Sequence, residues 1–238
     1  MATYDTELNP ILANASDEEL RPIVGFLLKK MSNDIKNDYR YKDHPDEPSL
    51  YTDLISDEIR LMGGNTFVNL FRREGVSYHE VVVDVAEKMK VSFNKNSSTE
   101  RIEELIIQKV FEDAWERMNV EEREEVIRNL GIGSINVSEY VVMGIQALLK
   151  KGGFKTYQLA VIIANAIAKS LLGHGLSLAF NAGITKTLSI FIGPVGWILS
   201  GLWTMIDLAG PSYKTTIPCV IHVAMLRQKQ MVESKPIT

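Results

Sequence analysis

The sequence predicts an all-α fold, and three observations carry that prediction. Apolar residues recur at helical spacing through most of the chain, while alternating runs of strand length are scarce. Serine-led start signals recur at Ser16, Ser77 and Ser98. Glycine pairs and Gly-Pro steps close the intervening segments.

Each element follows in order. Ser16-Asp17-Glu18-Glu19 is a capping box, and Leu20, Ile23, Val24, Leu27 and Leu28 place a helix to about residue 30. Residues 32–48 are polar with two prolines and read as a loop. A helix from about Leu50 to Met62 stops at Gly63-Gly64. Phe67, Leu70 and Phe71 suggest one further turn before Gly75. Ser77, with Glu80 three residues on, opens a helix to about Val91. Ser98 opens another, with Ile102, Leu105, Ile106, Val110, Phe111 and Trp115 on its apolar side, and an acidic helix covers 120–130. Apolar helices follow at 138–150, 156–172 and 176–191, then a break at Gly193-Pro194, then a last helix over 216–232.

Charge divides the chain in two. Residues 1–130 hold 17 Lys/Arg and 27 Asp/Glu, and residues 131–238 hold 9 and 3. The expected organisation is therefore an acidic helical domain over 1–130, packed with an apolar, basic, glycine-rich helical region over 131–238. If the halves attract, basic residues of 150–214 should face carboxylates of 99–125. Thr187 to Ile206 runs 20 residues without a charge, long enough as helix to span a hydrocarbon core of about 30 Å. With the predicted break, this run reads as a helical hairpin carrying Gly193, Pro194, Gly196, Trp197, Gly201 and Trp203. Small residues let helix backbones approach, and tryptophan favours interfaces. Both hold in a bilayer and in a tightly packed protein core. Asp207, at the end of the uncharged run, needs a partner if buried, and Lys214 is the candidate for an ion pair.

Catalytic sets do not converge. His44, His79, His174 and His222 show no metal-ligand spacing with other His, Cys or acidic residues. Cys219 and His222 sit three apart, the spacing of a nucleophile pair on one helix face, but also of two packed core residues. Gly173-His174-Gly175 and Gly193-Pro194-Val195-Gly196 lack the Lys-Ser/Thr of a phosphate-binding loop. No catalytic residue, cofactor or metal is expected. The basic residues are diluted among apolar ones, which argues against nucleic acid. The lone cysteine gives no internal disulfide, and the N-terminal residues lack a signal-peptide pattern. Cytoplasmic synthesis is the expectation, with peripheral or inserted contact at the inner membrane through the apolar half.

Several stretches carry a family likeness. They are Ile59 to Leu70 around Gly63-Gly64-Asn65-Thr66, Val83-Asp84-Val85 with Lys88-Met89-Lys90-Val91, and Leu172-Gly173-His174-Gly175-Leu176. Gly193-Pro194-Val195-Gly196 and Ala209 to Pro218 continue it. Together they resemble the uncharacterised bacterial YaaW family, which also carries a ubiquinol–cytochrome c chaperone-like label. The likeness spans roughly residues 5–230. It implies a bacterial, helical protein, and the chaperone label does not by itself give a mechanism. Two functional expectations stand. One is a non-enzymatic protein that associates with membrane through the apolar hairpin, as chaperone-like or pore-forming proteins do, with anionic lipid or another protein as partner. The other is a soluble interaction or assembly module whose hairpin is its core or its homo-oligomer seam.

Overall fold

Side-chain caps set where several helices of the acidic half begin, and a computed structural model shows the serine-led ones made. It describes residues 4–29, 34–62, 75–130, 154–176, 182–206 and 213–234, with the backbone alone at 129–130, 182–188 and 202–206. Among the described residues there are ten α-helices and no strand. They are α1 Asn9–Ala13, α2 Asp17–Leu28, α3 Tyr39–Asp43, α4 Thr52–Met62, α5 Tyr78–Lys88, α6 Thr99–Arg117, α7 Val120–Leu130, α8 Phe154–Leu172, α9 Ala182–Ile206 and α10 Tyr213–Glu233. The Ser16 amide donates to Glu19 Oε2 at 3.0 Å, closing the predicted box. Ser77 and Ser98 accept from the Glu80 and Arg101 amides, both at 3.3 Å. Asn119 and Glu122 form a further reciprocal cap at 2.9 Å in each direction, which starts α7.

The chain between α2 and α4 is not the plain loop that its polarity suggests. It winds through a 3₁₀ turn at Ile35–Asn37, then α3, then a second 3₁₀ turn at Pro48–Tyr51. Ile35 and Tyr51 anchor it in the core, and Arg40 ties it to Asp38 and Asp53 at 3.1 and 2.8 Å. Three buried side chains, Pro48 being the third, are enough to fold a polar stretch down.

α8 is the hub. Every side chain from Gln158 to Ala168 is buried, so the helix has no polar face. It packs most extensively on α9 and α10, and also on α6 and α2. It ends at Leu172, where Gly173 takes the left-handed φ of +83° that lets the chain leave the helix. Helices from both charge halves thus share one core cluster. The predicted helix 138–150, the turn at 67–71 and the Gly63-Gly64 stop lie outside the described residues.

The predicted break at Gly193-Pro194 is absent. α9 runs unbroken from Ala182 to Ile206 with Pro194 inside it, so there is no hairpin. Two features accommodate the proline. Gly193 has no Cβ to clash with the proline ring, and Pro194 is buried, so packing offsets the lost backbone bond. α2 and α10 carry Pro22 and Pro218 inside them in the same way, both buried. The last helix accordingly begins at Tyr213 rather than 216.

Candidate interaction surface

One side of α9 is seated and the other is open. Phe191, Pro194, Val195, Ile198 and Leu199 are buried at helical spacing. Phe191 meets Phe111 of α6 at 5.6 Å between ring centroids. On the outward side lie Ser189, Gly193, Trp197, Ser200 and Gly201, all exposed, and Trp197 shows 69% of its surface. A Cβ built at Gly193 or Gly201 would meet nothing within 4 Å, so these glycines face free space. Gly196 is different. Its Cβ would lie 3.5 Å from Ser170 Oγ, so a small residue there lets α8 draw near. Between the two helices is a cleft of about 430 Å³ lined by Ser170, Ile192, Gly193, Gly196, Trp197 and Ser200.

An uncharged helix face with an exposed indole is left in the open, and Gly193, Trp197 and Gly201 share it. Pro194 belongs to the seated side. Trp203 lies on α9 with its side chain outside the described residues, as does all of Asp207, so its expected pairing with Lys214 falls outside them too. Beside α9 packs α7, on which Glu121, Glu124 and Arg128 are exposed and Glu125 is half-exposed. Two lysines near Ser170 serve the helix end: Lys169 Nζ donates to Gly173 O at 2.9 Å, and Lys29 Nζ donates to Leu171 O.

The polar groups inside the molecule fasten α10 to the acidic half. Arg227 Nε meets Glu103 Oε2 at 2.7 Å, and the Tyr78 hydroxyl donates to Glu103 Oε1 at 2.8 Å. Burial pushes the Glu103 carboxyl above its ordinary range, against the pull of Arg227 and Tyr78. Lys229 meets Glu19 at 2.6 Å. Burial raises Glu19 too, but Lys229 and the Ser16 amide outweigh it and leave the carboxyl below its usual value. The halves do pair electrostatically through Arg227 and Lys229 of α10, which lie beyond the 150–214 stretch.

His222 and Cys219 do not form a nucleophile pair. Both are buried on α10, and His222 Nε2 lies 2.7 Å from the Glu19 carbonyl, so that nitrogen carries the proton and donates. Burial lowers the His222 pKa to about 4 and pushes the Cys219 thiol far above its ordinary range. A neutral thiol sealed from solvent is inert. The other histidines are dispersed: His44 lies 3.1 Å from Glu47, His79 2.8 Å from Thr99 Oγ1, and His174 3.2 Å from Gly175 O. Among the described residues no helix is long and apolar enough to cross a membrane.

The family model described as ubiquinol-cytochrome C chaperone matches residues 50–222. A UPF0174 protein of Helicobacter pylori strain J99 is 44% identical over 203 residues, covering 84% of this chain and 80% of that relative. A second UPF0174 protein of the same strain is 34% identical over 209 residues, covering 85% of this chain and all of its own length. The UPF0174 protein YaaW of Escherichia coli K12 is 29% identical over 188 residues, covering 78% of this chain and 74% of its own. No solved structure matches. The chain belongs to the ubiquinol-cytochrome c chaperone family, with the UPF0174 and YaaW proteins as its relatives.

Proposed function

We propose that this protein is a non-enzymatic, chaperone-type binding module that holds an apolar segment of another protein against the outward face of α9. One observation carries the reading. Trp197 stands exposed in an uncharged helix face beside an open cleft, on a helix otherwise seated in the core. A large aromatic exposed on a rigid element is the kind of anchor that protein interfaces use. The family's chaperone description is consistent with it. The buried ionic groups are spent holding α10 in place, which suits a scaffold better than an active site.

The same exposed indole favours a second reading, in which α9 lies on a lipid surface. Suppression of aggregation tests the proposal. The wild type should lower the light scattering of a heat-unfolded client protein, and Trp197→Asp should lose most of that effect while keeping its helix content and melting temperature. A wild type with no effect, or a variant as effective as the wild type, contradicts the proposal.

A further inference from the structure

Two polar joints fasten α10, and acid acts on them in opposite directions. At the joint with α2, both polar ties end on one residue. Glu19 pairs with Lys229 at 2.6 Å, and its backbone carbonyl accepts from His222 Nε2 at 2.7 Å. The same carboxylate closes the cap that starts α2. Phe26 of α2 meets the His222 ring edge-on, with 6.3 Å between centroids. The other ring nitrogen, His222 Nδ1, is buried with no hydrogen-bond partner among the described residues. A neutral imidazole tolerates this place, because Nδ1 then carries only a lone pair. An imidazolium does not, because a second N–H and a charge would sit in the core with no acceptor. At the joint with α6, Arg227 and the Tyr78 hydroxyl meet Glu103.

The neighbours of α10 do not relieve that charge. Glu19 of α2, Tyr78 of α5, Glu103 of α6 and Tyr157 of α8 come toward the helix. From α4 come the buried Glu58 and Arg60, which are turned to the Asp34 amide and to the Val76 carbonyl. None of the described side chains of α1 and α9 is charged. Of these groups, Glu19 is the charge that acts on the His222 ring, and burial outweighs its attraction.

We infer that the α2–α10 joint is an acid-sensitive latch: protonation of His222 frees α2 from α10 and uncovers the apolar side chains that α2 and α8 share, while the α6–α10 joint holds. Those side chains meet closely, for a Cβ built at Gly25 would lie 3.2 Å from Leu172. The direction follows from the two joints. His222 sits at about 4 when folded and near 6.5 when released, so its contribution is complete above about pH 6.5 and is lost as pH falls toward 4. Burial holds the Glu103 carboxyl above its ordinary range, so the α6 joint gains as pH falls. The latch does not depend on the α9 surface, since it lies on α2 and α10.

Amide exchange read by mass spectrometry on the whole chain, corrected for the intrinsic pH dependence of exchange, tests it. Protection in α2 should fall about 20-fold between pH 7 and pH 5, the shift supplied by one group moving between those two values. At pH 5 it should lie at least about tenfold below protection in α6, as an opening smaller than the whole fold requires. His222→Gln keeps a donor for the Glu19 carbonyl, and His222→Phe keeps a ring against Phe26; neither side chain titrates. Each should hold the fall in α2 to less than about threefold. Wild-type protection in α2 that does not fall, or that equals protection in α6 at pH 5, overturns the latch. A full 20-fold fall in either variant overturns His222 as its trigger.

Discussion

Arg227 shows how much a single side chain can hold. It ends in a buried contact with Glu103, which is only 1% exposed, and it also donates to the Glu7 carbonyl at 3.2 Å. Arg227→Ala would strand the Glu103 charge in the core, at a cost of about 3–5 kcal/mol in urea unfolding. Replacing both partners, as Glu103→Gln with Arg227→Met, should recover most of that loss, because no charge is then left unpaired. His222 makes a prediction in pH. Its folded pKa of about 4 lies below the unfolded value near 6.5, so the unfolded chain binds the extra proton first. That contribution to stability is complete above about pH 6.5 and is lost as pH falls toward 4. Between pH 7 and pH 5 the protein should lose about 2 kcal/mol through this group. Glu19, held below its usual range, loses its contribution at still lower pH, and Glu103, held above, works in the opposite direction. His222→Gln keeps a donor for the Glu19 carbonyl and should flatten the slope between pH 7 and 5. An unchanged slope would show that some other group sets it.

At the scale of elements, serine caps were legible because their chemistry is local: Ser16, Ser77 and Ser98 all start helices where the spacing places them. The Asn119–Glu122 cap follows the same logic, with asparagine in place of serine. Pro194 was not legible. A proline's local cost is plain in sequence, but the burial that offsets it is tertiary. The short helices α1 and α3 escaped for a related reason. They are five residues each, too short for a periodic signal; α1 is fixed by packing on α4 and α10, and α3 by the two 3₁₀ turns that flank it. Glycines divide in the same way. Gly201 faces open space inside a helix, so Gly201→Ala should stabilise the fold by about 0.5–1 kcal/mol. A Cβ at Gly75 would lie 2.7 Å from Arg60 Cβ and 2.8 Å from its carbonyl carbon, so Gly75→Ala should destabilise instead. Chemical denaturation of the two variants reads both signs.

On the scale of the whole molecule, the charge asymmetry was visible in the sequence and the pairing geometry was not. The attraction runs through α10, where Arg227 and Lys229 reach Glu103 and Glu19 across most of the chain's length. These contacts are largely buried, so salt should screen them little. The candidate surface was half legible. Trp197 and its glycines stood out, but a hairpin with a break was expected to carry them, whereas one unbroken helix presents them. Whether another protein meets them is measured most directly by a photo-crosslinking amino acid placed at position 197 in growing cells. The account predicts discrete protein adducts that disappear when the probe is moved to Tyr39, which is exposed on another helix. Lipid adducts alone, or the same protein adducts from both positions, would contradict it.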